Sequence, residues 1–267
     1  AGNTDTCLSN VQVEEPTITA PMAMCKDVTV ELDSSGQVIV PADSVNNGIL
    51  FTGTLELFLM PDTFTCNDLG NNMVELRAVD DVGSDTCTAI VTVEDNIVPT
   101  AVCQNDTIYL DATGSATLDP AGLDGGSFDN CALNIIPSQT DFTCDDIGTQ
   151  NISVQFADAA GNADTCMAEV TVIDTLPPAA VCQNVTVFLD GSGTATFDPG
   201  LADGGSVDNC ELQFAVTPSN LACTNIGTQP YLLTVTDPSG NTDTCSAEVT
   251  VVDTVAPTAV CQNATVY

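Results

Sequence analysis

Hydrophobic and polar positions alternate along most of this chain, in short bursts separated by Gly, Asp, Asn and Pro. "CMAEVTVID" puts Cys166, Ala168, Val170 and Val172 on one side and Glu169 and Thr171 on the other, the two-residue period of a half-buried β-strand. Just before it, "NISVQFAD" aligns Ile152, Val154 and Phe156, and the matching stretch further on aligns Tyr231, Leu233 and Val235. "DAAGNAD" and "DPSGNTD" between such pairs read as hairpin turns in which Gly161 and Gly240 supply a positive φ. The opening strand "AVCQNDTIYLD" changes phase. Val102 shares a side with Ile108 and Leu110 while Cys103 has the opposite parity, which predicts a bulge or a switch of sheets near Gln104. No window carries a helical period.

The bursts themselves recur. "DNIVPTAVCQN", "DTLPPAAVCQN" and "DTVAPTAVCQN" begin at Asp95, Asp174 and Asp253, a step of about 79 residues. "DTC" ends at Cys7, Cys87, Cys166 and Cys245, and residues 103–181 and 182–260 align without a gap. The first copy is looser, with a two-residue insertion before Cys25 and a different stretch from Asn46 to Met60. Six or seven short strands per copy predict an all-β chain: tandem immunoglobulin-like β-sandwich repeats of about 79 residues, arranged as a linear rod. The expected divisions are the end of a preceding repeat (1–15), three repeats (16–95, 96–174 and 175–253) and the start of a following one (254–267). Residues 4–14 read as a last strand and 258–267 as a first strand. The chain opens inside a repeat and reads as an excerpt of a longer, mature polypeptide.

Charge narrows the partners. Thirty-seven acids stand against Lys26 and Arg77, with no histidine, a formal charge of −35. Nothing here neutralises phosphates, so nucleic acid and anionic lipid are excluded as natural partners. A strongly acidic chain can be disordered, but 43% hydrophobic content in alternating positions predicts a folded one whose self-repulsion invites cations. No apolar run reaches the length of a membrane span. Thirteen cysteines at repeating positions, without a CxxC pair or histidine, point to disulfides and an extracellular, oxidising location rather than to zinc.

The order Cys-x-x-(x)-T-V-x-L-D, D-N-C, F-T-C-x-x-I-G-T and D-x-x-G-N-x-x-T-C-x-A-x-V-T-V-x-D resembles the hyalin repeat. It is most similar to the tandem form on giant surface proteins of Bacteroidota, including gliding-motility adhesins of the SprB type. The resemblance covers nearly the whole chain. The first repeat departs from it, because Gly53 stands about where Cys131 and Cys210 stand. It implies a cell-surface stalk or filament whose partners are neighbouring copies or repeats of the same protein.

Cysteine pairing follows from the expected topology. Cys131 with Cys144, and Cys210 with Cys223, would close short loops. The others could pair within a repeat (Cys25–Cys87, Cys103–Cys166, Cys182–Cys245) or across a junction (Cys87–Cys103, Cys166–Cys182, Cys245–Cys261). The within-repeat scheme is favoured, because in an immunoglobulin-like fold the first and last strands lie side by side and parallel. Each such bridge closes a loop of about 63 residues, worth ~4 kcal/mol in the loop-entropy account. Cys66 is left over, as a free or intermolecular thiol or as a buried, inert side chain.

The same topology brings the last hairpin to the end of the repeat where the chain enters. Asp158, Asn162 and Asp164 then approach Asp95, with the Asp129-Asn130 loop nearby. At the next junction the equivalents are Asp174, Asp208, Asn209, Asp237, Asn241 and Asp243. Oxygen donors from three loops, without nitrogen or sulfur, are the ligand chemistry of Ca²⁺, and the logic is similar to that of cadherin junctions. Turn chemistry alone would also put Asp, Asn and Gly there.

Other activities find less support. Repeated acids with no singled-out base or nucleophile do not make a glycosidase, so no catalytic residue is expected. A carbohydrate- or ligand-binding surface module is the alternative reading, as is a passive spacer presenting a terminal enzyme or binding domain. Trp is absent, leaving few stacking platforms for sugars. "GILFTGTLELFLM", residues 48–60, is the candidate patch, and is expected to be a divergent strand pair in the core. Thr107, Thr175 and Thr254 sit in Asp-Thr-aliphatic triplets that resemble the O-glycosylation signal of Bacteroidota. Asn105, Asn151, Asn184 and Asn263 open N-x-S/T sequons that would matter in a eukaryotic secretory host.

Overall fold

A computed structural model describes Gly2 and residues 20–264. The first repeat has six strands: β1 (Val28–Glu31), β2 (Gln37–Ile39), β3 (Glu56–Met60), β4 (Thr63–Thr65), β5 (Gly70–Val79) and β6 (Ser84–Glu94). β1 runs parallel beside β6, with Val28 opposite Val91 and Glu31 opposite Glu94. β5 and β3 complete an antiparallel run, giving the sheet order β1-β6-β5-β3, while β2 and β4 pair as a separate ribbon.

The second and third repeats use the same plan. β7 (Asp106–Tyr109), β8 (Ser115–Thr117), β9 (Asn134–Pro137), β10 (Asp141–Thr143), β11 (Gly148–Ala157) and β12 (Ala163–Ile173) give the order β7-β12-β11-β9 and the ribbon β10-β8. β13 (Val185–Phe188), β14 (Thr194–Thr196), β15 (Gln213–Thr217), β16 (Asn220–Ala222), β17 (Gly227–Thr236) and β18 (Thr242–Val252) give β13-β18-β17-β15 and β14-β16. The parallel pairing of first with last strand recurs in both. The chain is therefore all-β, in tandem immunoglobulin-like sandwiches of about 79 residues. Helical segments among the described residues are three or four residues long.

Alternation becomes burial as expected. Ile152, Val154 and Phe156 are buried with Ala168, Val170 and Val172, and so are Tyr231, Leu233 and Val235 with Val249 and Val251. Phe64 and Leu221, from the short strands β4 and β16, pack into the cores of the first and third repeats. Each such side chain contributes about 1.5–3 kcal/mol, so a single repeat keeps only a small core. Tyr231 shows how a polar tip is accommodated. Its hydroxyl donates to Gln183 O at 2.6 Å and to Ala202 O at 3.1 Å, and burial pushes the phenol up.

The phase change at Gln104 is a change of partner. Thr100 and Cys103 bridge to Phe128 and Asp124, and the strand proper starts only at Asp106 beside β12. Val102 therefore does not join Leu110 inside: it is exposed, whereas Leu110 is buried. The 48–60 stretch is likewise not a strand pair in the core. It holds one strand, β3, and a single bridge from Leu50 to Met22, with Ile49 and Leu59 buried but Phe51, Phe58 and Met60 exposed. Strand alternation explains the split, since successive residues face opposite ways. The expected closing strand at 4–14 lies outside the described residues. Of the expected first strand at 258–267, residues 258–264 are described and form no strand.

Five disulfides form among the described residues. Cys25–Cys87, Cys103–Cys166 and Cys182–Cys245 tie first to last strand within a repeat. The other two correct the short-loop expectation, because Cys66 bonds Cys131 and Cys144 bonds Cys210, at separations of 65 and 66 residues. Cys131–Cys144 and Cys210–Cys223 do not form, Cys66 is not a free thiol, and Cys223 is free and exposed with Cys261. The physical reason is local. Each F-T-C cysteine starts a 3-10 turn that turns it back onto the glycine after the first strand, Gly36 for Cys66 and Gly114 for Cys144. There it meets the D-N-C loop of the next repeat rather than its own. Chain contacts agree: the compact unit containing the first repeat also takes in Ser127–Asn134 and Phe156–Asp164, and the other unit comprises Val102–Gly126, Ile135–Gln155 and the chain from Thr165 onward.

Candidate metal centre at the repeat junctions

Each junction starts from a linker aspartate in a tight turn. Asp95 Oδ1 accepts from Ile97 N at 3.1 Å, and Asp174 Oδ1 accepts from Leu176 N at 3.0 Å. The D-N-C loop comes next. Asn130 Nδ2 donates to Asp95 Oδ1 at 3.1 Å and to Asp33 O at 3.2 Å, while Cys131 N donates to Asp129 Oδ2 at 3.1 Å. In the second junction Asn209 Nδ2 reaches Asp174 Oδ1 at 3.2 Å and Asp111 O at 3.0 Å, and Cys210 N reaches Asp208 Oδ2 at 3.2 Å. The hairpin closes the set. Asp158 Oδ1 accepts from Gly161 N and Asn162 N at 2.7 and 2.9 Å, and Asn162 Nδ2 donates to Asp158 Oδ2 at 2.8 Å and to Asp95 O at 2.9 Å. Asn241 makes the same contacts to Asp237 and Asp174 O.

These bonds engage both oxygens of Asp158 and Asp237 but leave Asp95 Oδ2, Asp129 Oδ1 and Asp174 Oδ2 buried and unpartnered. Carboxylate oxygens of Asp95, Asp129 and Asp158 all lie within 4.8 Å of one another, and so do those of Asp174, Asp208 and Asp237. Asp95, Asp158, Asp174 and Asp237 are only 5, 5, 2 and 3% exposed. Within the first cluster Asp95 Oδ2, Asp129 Oδ1 and Asn130 Oδ1 are buried without a hydrogen-bond partner; in the second, Asp174 Oδ2 and Asn209 Oδ1 are. A buried polar atom left so costs roughly 1–3 kcal/mol, and carboxylates about 4 Å apart repel by ~1 kcal/mol even at the dielectric of water. Inward-facing oxygens with no nitrogen or sulfur form a donor set for a hard cation. The residues present fit one.

Not all expected ligands join. Asp164 and Asp243 stand outside the clusters: their Oδ2 atoms accept from Ala101 N at 3.0 Å and Ala180 N at 2.9 Å, and Asp85 does the same for Ala23 at 2.9 Å. These bonds, with that from Thr244 N, hold the Asp243 carboxyl below the usual range. The D-T-C aspartate is thus a clasp on the incoming chain. Asn162 and Asn241 turn their amide nitrogens to the carboxylates and brace them. Asn130 and Asn209, from the D-N-C motif, each keep a buried Oδ1 without a hydrogen-bond partner beside these carboxylates. Thr107, Thr175 and Thr254 are all exposed.

No protein-family model matches the chain. Among solved structures it is similar to an I-band fragment of titin, at 11% identity over 88% of this chain and 100% of that one, with a TM-score of 0.37. It is similar to extracellular cadherin domains 1–4 of protocadherin gamma B7, at 13% identity over 75% and 67%, with a TM-score of 0.31. It is also similar to an endo-fucoidan hydrolase of glycoside hydrolase family 107, at 14% identity and a TM-score of 0.27; 89% of this chain spans 45% of that enzyme's length. The chain's own geometry defines its class: disulfide-linked immunoglobulin-like repeats with acidic junctions.

Proposed function

We propose that this chain is part of an extracellular structural and adhesive array, a stalk or filament that bears load at a cell surface without catalysis. One observation carries the reading: the disulfides give tension a covalent route that bypasses every sandwich. From Cys25 that route crosses to Cys87, follows the linker to Cys103, crosses to Cys166, follows the next linker to Cys182 and crosses to Cys245. Only the two linkers, about 16 residues and roughly 55 Å each when extended, need lengthen. The Cys66–Cys131 and Cys144–Cys210 bridges fasten each junction as well. Such a path suits a stalk.

The finer attribution, to hyalin-type repeats of Bacteroidota surface proteins of the SprB type, is supported by the D-N-C, F-T-C and D-x-x-G-N signatures. Ca²⁺ is the cation this reading places at the junctions, held by Asp95, Asp129, Asn130 and Asp158 and by Asp174, Asp208, Asn209 and Asp237. There it would cancel carboxylate repulsion and fix each linker. The repeat divisions at 16–95, 96–174 and 175–253 follow the same reading.

Single-molecule stretching between residues 25 and 245 tests it. The oxidised chain is expected to lengthen by no more than its linkers allow, and the reduced chain to reach ~750 Å at full extension. Full extension of the oxidised chain would refute the load path. A ligand-binding face on the first repeat is a second reading, favoured by exposed Phe51, Phe58 and Met60. It requires that Phe58→Ser abolish capture of a surface or glycan ligand while leaving stretching unchanged.

A further inference from the structure

The exit end of the third repeat carries the same glycine turn, cysteine and linker aspartate that hold a D-N-C loop in the first two. Cys66 Sγ lies 3.7 Å from Gly36 O and 3.5 Å from Asn130 O; Cys144 Sγ lies 3.7 Å from Gly114 O and 3.4 Å from Asn209 O. Cys223 Sγ lies 3.5 Å from Gly193 O. The three glycines share a positive φ of 73, 73 and 76°. The turn before each is wound on an aspartate: Asp33 takes Ser35 N at 2.8 Å, Asp111 takes Thr113 N at 2.8 Å, and Asp190 takes Ser192 N at 2.9 Å. The linker aspartate is also in place. Asp253 Oδ1 accepts from Val255 N at 2.9 Å, as Asp95 and Asp174 do from their own second neighbours.

What differs is occupancy. A Cβ on Gly36 or Gly114 would run into the carbonyl of Asn130 or Asn209 as well as the Sγ of Cys66 or Cys144, so the D-N-C backbone seats directly against the glycine. A Cβ on Gly193 would meet only Cys223 Sγ among the described residues. Asp95 and Asp174 are buried, whereas Asp253 is exposed. The third repeat thus has the glycine seat, the thiol and the carboxylate, and no D-N-C loop among the described residues seats on them.

We infer that Asp190, Gly193, Cys223 and Asp253 form a covalent docking site for the Asp-Asn-Cys loop of a further repeat of this type. The incoming asparagine amide donates to Asp190 O and Asp253 Oδ1, its carbonyl seats on Gly193, and the following cysteine bonds Cys223. A second copy of this chain does not supply that loop, because Cys131 and Cys210 are already bonded and the first repeat has Gly53 in the corresponding place. Closure proceeds by thiol–disulfide exchange. The Cys223 thiolate attacks the incoming cysteine sulfur, held as a mixed disulfide with a small thiol; the new S–S bond forms as the old one breaks, and the small thiolate leaves with the electron pair. The mixed disulfide is the oxidant. The inference does not depend on any cation at the junctions.

Cys261, also free and exposed, is an internal comparator. The whole chain is treated with an eight-residue peptide of the sequence GSVDNCEL, its cysteine capped as a 2-thiopyridyl mixed disulfide, and both thiols are followed by peptide mapping. Docking raises the effective concentration at Cys223, so capture there should exceed that at Cys261 by about tenfold. The same peptide with alanine in place of asparagine should lose the preference, and Gly193→Ala in the chain should lose it too. Equal capture at the two thiols, or a Cys223 preference indifferent to the peptide's asparagine, would overturn the inference even if the Gly193 variant failed to fold.

Discussion

Asn130 donates its side-chain amide to Asp95 Oδ1 across 3.1 Å, joining a loop of one repeat to the linker that precedes it. Asn209 and Asp174 repeat the bond at 3.2 Å. In both, the aspartate is buried and its second oxygen has no hydrogen-bond partner. The bond orients the carboxylate while leaving half of it available, which a residue serving stability alone would not require.

Asn209→Ala should destabilise the second junction by about 1–3 kcal/mol, because buried Asp174 loses a donor. Calorimetry would show a lowered transition, and Asn130→Ala should match it at the first junction. A transition unchanged in both variants would mean that the loop is held by its disulfide alone.

Gly114→Ala places a methyl where the Asn209 carbonyl sits and forces a positive φ on a residue with a side chain. Non-reducing peptide mapping should then show Cys144 and Cys210 as thiols with Cys103–Cys166 intact. Gly126→Ala, also at a positive φ but with nothing within 4 Å, should leave both bridges formed.

Hydrogen bonds at three turns depress a carboxyl. A bond from the Thr113 hydroxyl, then backbone N–H groups of Thr113 and Ser115, hold the Asp111 carboxyl below the usual carboxylate range, and Asp33 and Asp190 behave alike. A depressed folded-state value adds stability that is complete above the unfolded value of about 3.9 and lost as pH falls through the folded one. Asp111→Asn should therefore lower the melting temperature at neutral pH and lessen its decline below about pH 4. A slope unchanged from the parent would remove Asp111 from the account.

Much of this architecture was legible in the alternation. Ile152, Val154 and Phe156 fall on one face because a strand of period two allows nothing else. The acids of the junction were legible as well, since parallel first and last strands fix where the last hairpin must sit. The short disulfide loops misled because a separation of thirteen residues from Cys131 to Cys144 looked sufficient for closure. The better signal was the unmatched Cys66 opposite Gly53. Moving the pairing forward by one repeat gives Cys66 and Cys144 partners and leaves Cys223, their counterpart, unpaired. Asp164 and Asp243 accept from the Ala101 and Ala180 amides, a placement not legible beforehand because sequence shows which residues share an end of a sandwich, not which oxygen faces the linker amide.

Calcium titration of the metal-stripped chain by calorimetry tests the junction account most directly. Two clusters within the described residues should give two binding events, and Ca²⁺ at a hundred times its dissociation constant should stabilise the fold by about 2.7 kcal/mol per site. Asp129→Asn should remove one event and Asp208→Asn the other. Absence of binding heat, with a melting temperature indifferent to both Ca²⁺ and chelator, would show that these carboxylates bind no calcium and that the junctions rest on disulfides and asparagine amides alone.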